Sequence, residues 1–193
     1  PNHLVISPTM KCNLKCYGCY AWQYTKKDEL PYDVCNRIID EANDIGLYFF
    51  VITGGEPFCW EHLYDFLERH NDSFFQIYTN GQLIDREVAA KLAELGNAVP
   101  CISVEGFQKE TDERRGKGAW DNIMKAMDNL REAGVLFGFS VTATRSNNEL
   151  VVSDEFVDLF VEKGAFVGWY FNYIPIGREP DTSLMPTPEQ RDY

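Results

Sequence analysis

Cys12, Cys16 and Cys19 lie within "KCNLKCYGCY", a CxxxCxxC spacing confined to one short stretch. Thiolates in such a group select zinc or iron–sulfur clusters. A structural zinc site closes its tetrahedron with a fourth cysteine or a histidine. His3 begins the first predicted strand, at the end away from the cysteine stretch, while His62 and His70 lie along a helix predicted over 61–70. None is well placed as a fourth ligand. Three thiolates around a cubane cluster instead leave one iron without a protein ligand, and an open iron can coordinate a small molecule. The other three cysteines, Cys35, Cys59 and Cys101, are scattered through apolar or helical surroundings and read as small buried hydrophobes. Three clustered and three dispersed thiols do not resemble a secreted disulfide framework.

The elements that must position this loop follow a repeating beat. "EANDIGLYFFVIT", "AELGNAVPCISV", "REAGVLFGFSVTAT" and "EKGAFVGWYFNYI" each pass from a helical pattern through a glycine into an apolar run. Gly46, Gly96, Gly134 and Gly164 are thus predicted helix stops in the left-handed conformation. Ahead of them, apolar residues recur at helical spacing: Val34, Ile38, Ala42 and Ile45; Val88, Leu92 and Leu95; Ile123, Met127 and Leu130; Phe156, Leu159 and Phe160. With "HLVIS" and "FFQIYT", about six strands alternate with helices. The fold class is α/β with a parallel sheet, arranged as an open doubly wound sheet or as a barrel. Both place ligands at the carboxyl ends of strands. Polar groups collect there: the cysteine stretch, then "TGGEP", "TNG", "SVEG", "TRSNN" and "NYIPIGR". Taken alone, "TGGEP" is equally a tight turn. Arg145 reads as a solvated residue or a carboxylate contact, and Trp22 and Tyr24 as cavity wall or core.

The 193 residues, 45% hydrophobic and 25% charged, are enough for one core, and a single domain is expected over 1–193. No run approaches the roughly 20 apolar residues of a membrane span. A formal charge of −12 opposes binding to a phosphate backbone. A cytoplasmic protein acting on neither membranes nor nucleic acid is expected. Because the chain starts at Pro1 and ends where Thr187 and Pro188 look like a helix start, a longer natural polypeptide is expected.

The cysteine spacing, with "GGEP" at Gly54–Pro57 one βα unit later, resembles the radical S-adenosylmethionine (radical SAM) superfamily. "YTNG", "ISVEG", the Asp112, Arg115 and Gly116 run and "IPIGR" resemble its branch of peptide-modifying maturases and haem-pathway enzymes. The resemblance implies a partial (β/α)6 TIM-like barrel, with a C-terminal extension beyond Tyr193 in many relatives. It implies a [4Fe-4S] cluster on Cys12, Cys16 and Cys19, whose open iron binds S-adenosyl-L-methionine. Gly54, Gly55 and Glu56 would hold the methionine amino group, Ser103 and Glu105 would meet the carboxylate or ribose, and the backbone near Ile174 would border the adenine; Gly18, Pro57 and Asn80 would complete the cofactor site, with Glu56 counted beside the three cysteines as catalytic. Here Gly18 stands where many members carry an aromatic, and Glu105 where Asp is common. Reduction of the cluster, by a donor such as flavodoxin or ferredoxin, would cleave the sulfonium to a deoxyadenosyl radical. That radical would abstract hydrogen from a peptide, a tetrapyrrole or another small molecule. On this reading Glu56→Ala spares the cluster and weakens S-adenosylmethionine binding. Two other classes remain at this stage: an activase generating a glycyl radical on a partner protein, and a noncatalytic zinc-binding module.

Overall fold

Every one of the four anticipated helix-stop glycines has a positive φ: Gly46 83°, Gly96 70°, Gly134 74° and Gly164 99°. The computed structural model that gives these angles describes residues 3–23, 28–177 and 180–192, without the side chains of Trp22 and Gln23. Each glycine ends a helix and releases the chain into a strand. The strands are β1 (Leu4–Thr9), β2 (Phe49–Gly54), β3 (Phe74–Thr79), β4 (Ala98–Val104), β5 (Gly138–Ala143) and β6 (Gly168–Asn172). The helices are α1 (Tyr32–Asp44), α2 (Leu63–Arg69), α3 (Arg86–Leu95), α4 (Gln108–Arg115), α5 (Ala119–Glu132), α6 (Asn148–Val151), α7 (Asp154–Lys163) and α8 (Pro188–Arg191).

All strand pairs are parallel, and the order is β1-β2-β3-β4-β5-β6 without reversal. Right-handed crossovers in that order place the crossover helices on one face. A doubly wound sheet needs a reversal of strand order, so that alternative is set aside. The sheet also curls. Tyr78 on β3 and Phe171 on β6 meet edge to face with ring centroids 5.6 Å apart. In a flat sheet those strands would stand about 14 Å apart, three times the interstrand spacing.

Strand parity then separates two environments. Phe50, Ile52, Phe75, Ile77, Ile102, Val104, Phe139 and Val141 face the helices and join Phe66, Leu67, Ile123, Met127, Leu130, Phe156 and Phe160 in one core. Each large side chain so buried contributes about 1.5–3 kcal/mol. The opposite parity lines the inside of the curl, where Gln76 Nε2 donates to Tyr78 Oη at 2.8 Å and the Ser103 and Ser140 hydroxyls lie 3.2 Å apart. Among the described residues, no strand contains a charged residue.

Some sequence expectations shift. The buried stripe of α1 is Cys35, Ile39 and Ala42, while Val34 and Ile38 are half-buried. Ile45 is 79% exposed because the helix ends at Asp44 and Ile45 serves as its C-cap. The helix expected over 61–70 is the shorter α2. Helices α4 and α6 were not anticipated, since α4 buries only Thr111 and carries no apolar stripe. The start of α8 is a capping box between Thr187 and Gln190. Among the described residues no helix is long and apolar enough to cross a membrane.

Candidate functional site

The cysteine loop leaves β1 at Thr9 and ends in a 3-10 helix at Tyr20–Gln23. It is gripped from two sides. On the first, Gly55 N–H donates to Thr9 O at 3.0 Å and Glu56 N–H to Lys11 O at 2.7 Å. A Cβ on Gly54 would lie 2.4 Å from Thr9 O, and one on Gly55 would lie 2.3 Å from Lys11 O. The glycine pair is required because two backbones pass within touching distance. On the second side, Gly177 (φ +88°) follows β6, and a Cβ there would lie 2.4 Å from Tyr20 Cα and 2.6 Å from Cys19 O. The loop therefore spans the mouth of the curl, from the end of β2 to the segment after β6.

A hydrogen-bond chain reinforces the first grip. Glu56 is buried, and its carboxylate accepts from Thr79 Oγ1 at 2.7 Å, Asn80 N–H at 2.7 Å and Phe58 N–H at 3.1 Å. Burial pushes the Glu56 carboxyl above its ordinary range, and these donors pull the other way. Asn80 Nδ2 donates in turn to Asn13 Oδ1 at 2.7 Å, beside the Cys12 sulfur at 3.9 Å. The "GGEP" turn, the "TNG" turn and the cysteine loop thus form one connected unit. Burial pushes the Cys12 thiol up to about 11, against the lowering effect of the Leu14 N–H at 3.4 Å. Burial also raises Cys16, opposed by the nearby Arg115 guanidinium. A bound metal reverses this, because ligation removes the thiol proton.

At the end of β4, Glu105 is ion-paired with Arg114 and, at 2.5 Å, with Arg115 Nη2. Arg114 is itself tied to the cysteine loop: Tyr17 N–H donates to Arg114 O at 3.1 Å, and Arg114 Nε donates to Tyr17 O at 3.2 Å. A pocket of about 210 Å³ opens here, bordered by Tyr17, Gly18, Glu105, Arg114, Asn147 and Tyr173. Gly18 (φ +65°) sits over the Tyr173 ring, 3.7 Å from where its Cβ would be. Asn147 Nδ2 donates to Glu105 O at 2.7 Å, fixing the β4 and β5 loops together.

These residues suit a thiolate-ligated cluster. Three soft donors share one immobilised loop, a guanidinium lies beside them, and the buried Arg115 Nε has no hydrogen-bond partner among the described residues. No three His, Cys, Asp or Glu side chains among the described residues converge as ligands of a single ion. Thiolates that each bind a different iron of a cubane have no need to converge in that way.

The Radical SAM superfamily profile matches residues 6–159. The chain belongs to the radical SAM superfamily. It is 36% identical to mycofactocin maturase MftC of Mycolicibacterium smegmatis, over 95% of this chain and 48% of that protein. It is 33% identical to Fe-coproporphyrin III synthase of Methanosarcina barkeri, over 75% of this chain and 37% of that one. Streptococcus suis SuiB, solved with S-adenosylmethionine bound, superposes with a TM-score of 0.82 at 26% identity, covering 97% of this chain and 44% of SuiB. The chain thus spans about half the length, or less, of these relatives. Radical SAM enzymes use a [4Fe-4S] cluster and S-adenosylmethionine.

Within this radical SAM fold the residues singled out from sequence are distributed unevenly. Cys12, Cys16, Cys19, Gly18, Gly54, Gly55, Glu56 and Asn80 belong to the connected unit or the pocket beside it. Pro57 is buried and opens the 3-10 helix after Glu56. Ser103 lies inside the curl against Ser140, while Glu105 borders the pocket with its carboxylate taken by arginines. Ile174 is 64% exposed, and its neighbour Tyr173 takes the pocket wall. Asp112 caps α5, accepting from Gly118 N–H at 3.0 Å and Trp120 N–H at 2.9 Å. Arg145 holds the C-terminal segment through Leu184 O and Met185 O. Cys35 and Cys101 are fully buried and Cys59 is half-buried. Tyr24 and the side chain of Trp22 lie outside the described residues. Sequence reasoning missed Asn13, Arg114 and Tyr173. The Arg114–Arg115 pair, nine residues beyond Glu105, was the available signal for one of them.

Proposed function

We propose that Cys12, Cys16 and Cys19 ligate the [4Fe-4S] cluster of a radical SAM core spanning this chain, and that the substrate is a peptide. The observation that carries the assignment is the double grip on the cysteine loop by Gly54–Gly55 and Gly177, which fixes three thiols over the mouth of the curl. When bound, cluster and S-adenosylmethionine supply reductive cleavage of the sulfonium and hydrogen-atom abstraction. The chain's own residues do the rest. The thiols give up their protons on ligation, Asn13 and Asn80 hold the loop in register, and Tyr17, Gly18 and Tyr173 border a pocket suited to a nucleoside. Ser103 and Glu105 lie at its edge as candidate polar contacts.

The peptide reading rests on the inside of the curl, which offers hydroxyl, amide and aromatic groups and no strand-borne charge. The carboxylates of a tetrapyrrole would find no strand-borne cation there, and burying them unpaired carries a high desolvation cost. A neutral peptide segment meets no such penalty. Mycofactocin maturase and SuiB, solved also with its precursor peptide SuiA, point the same way. Neither the activase nor the zinc-module alternative is favoured by these relatives. An electron donor such as flavodoxin or ferredoxin, and a reducing cytoplasm that keeps the thiols free, complete the reading.

Anaerobic reconstitution should load about four irons per chain. Combined Cys12→Ala, Cys16→Ala and Cys19→Ala should abolish loading; retained iron would overturn the ligand assignment. With dithionite and S-adenosylmethionine, 5′-deoxyadenosine should form and rise on adding the precursor peptide encoded nearby. A rise with coproporphyrin and not with peptide would reverse the substrate reading.

A further inference from the structure

The buried ion cluster at the end of β4 is built more elaborately than a loop staple requires. The Glu105 side chain is 3% exposed and that of Arg115 is 13% exposed. Two guanidiniums share this one carboxylate, and the buried Glu56 carboxylate acts on Arg115 only from further off. A buried cation left partly uncompensated is costly unless something anionic faces it. Arg115 Nη2 is satisfied by Glu105, but its Nε–H is buried and points to no acceptor among the described residues. An orphaned buried donor of that kind calls for an explanation.

Position supplies one. Arg115 follows Arg114, whose backbone and side chain are both bonded to Tyr17, the residue between Cys16 and Cys19. The C-terminal end of α4 is thereby fastened to the stretch carrying two of the three thiols. Arg115 lies close enough to the Cys16 and Cys19 thiols for their charges to act on one another. Arg114 and Glu105 also act on Cys16, with opposite signs. On the far side, Glu56 acts on Cys12 and also on Arg115.

We propose that Arg115 is an electrostatic positioning residue for the cluster, its unpaired Nε–H available to a cluster sulfur and its charge favouring the reduced state. The inference rests on the ligand assignment above. The physical ground is that the reduced cluster carries one more negative charge than the oxidised one, so a fixed cation beside it stabilises the reduced form more. Hydrogen bonds to cluster sulfurs and net local charge are established levers on such potentials. Glu105 aims the guanidinium, and Arg114 anchors the segment that carries it.

The test is a redox titration, followed by electron paramagnetic resonance, of anaerobically reconstituted full-chain protein, wild type against Arg115→Gln and Arg115→Lys. Arg115→Gln should shift the one-electron equilibrium toward the oxidised form by about tenfold, which is about 59 mV. Arg115→Lys keeps the charge and should recover more than half of that shift. A glutamine variant with full iron, wild-type absorbance and a wild-type potential would overturn the proposal and leave Arg115 a structural ion pair. Should the variants fail to load iron, wild-type protein grown with [15N]arginine decides: the reduced cluster should show a 15N hyperfine coupling, and its absence would overturn the proposal equally. Failure of the wild type to load iron would instead strike the ligand assignment, so the two readings fail separately.

Discussion

Replacing Glu56 with alanine should do more than weaken cofactor binding. The carboxylate accepts from Thr79 Oγ1, Asn80 N–H and Phe58 N–H. Phe58 is half-buried, so water can replace its lost acceptor, and the Thr79 hydroxyl can rotate. Asn80 N–H has neither escape, because its residue is 7% exposed. Leaving such a donor unsatisfied costs about 1–3 kcal/mol. The vacated side-chain volume adds to this, while relief of a carboxylate buried at some cost subtracts. A net loss of about 2–3 kcal/mol follows, equivalent to roughly 4–12 °C in Tm for a domain of this size. Because Asn80 also holds Asn13, iron loading of Glu56→Ala should fall below the wild-type level. Glu56→Gln keeps one acceptor and should lie between. The assay pairs thermal unfolding by circular dichroism with iron per chain after anaerobic reconstitution. An alanine variant with unchanged Tm and full iron, impaired only in S-adenosylmethionine binding, would refute this reasoning and return Glu56 to the ligand-facing role that the family resemblance implies.

Gly177→Val should cut iron loading severalfold with little change in Tm, since its side chain would drive into Cys19 and Tyr20 on an edge segment; unchanged loading would remove the second grip from the argument. Burial lowers the His70 pKa below its model-compound value of 6.5, with Asn36 Oδ1 2.9 Å from Nε2. The unfolded chain therefore takes up a proton that the folded one resists, and stability should fall as pH drops below 6.5. His70→Gln should flatten that slope, and an identical slope in both proteins would show that another group titrates. Phe156→Ala, in a cluster with Phe107, Phe139 and Phe160, should cost about 3–5 kcal/mol in chemical denaturation. Iron per chain in buffer should stay unchanged, because that cluster lies on the helix side of the sheet.

What could be read in advance divides along physical lines. Gly46, Gly96, Gly134 and Gly164 announced four helix ends because a positive φ leaves a compositional mark, and Ile123, Met127 and Leu130 announced α5 because burial on one face leaves a periodic one. Helix α4 left no periodic mark, although Gly116 at its C-cap has a positive φ of 110°. It is polar throughout, buries only Thr111, and ends in two arginines that share Glu105, while the contact of Arg114 with Tyr17 lies far off in sequence. Periodicity could not choose between an open sheet and a barrel either, because that choice lies in strand order and in contacts such as Tyr78 with Phe171.

The "GGEP" turn shows the same limit at the site itself. A missing Cβ says that something passes close by, and sequence alone cannot tell a ligand from another stretch of backbone. Here the close partners of Gly54 and Gly55 are Thr9 O and Lys11 O, and Glu56 faces Thr79 and Asn80. The motif and the cysteines therefore depend on each other mechanically. A substitution that spares every thiol can still disarm the loop, and cluster loading together with cofactor affinity, rather than either alone, reports what the turn does.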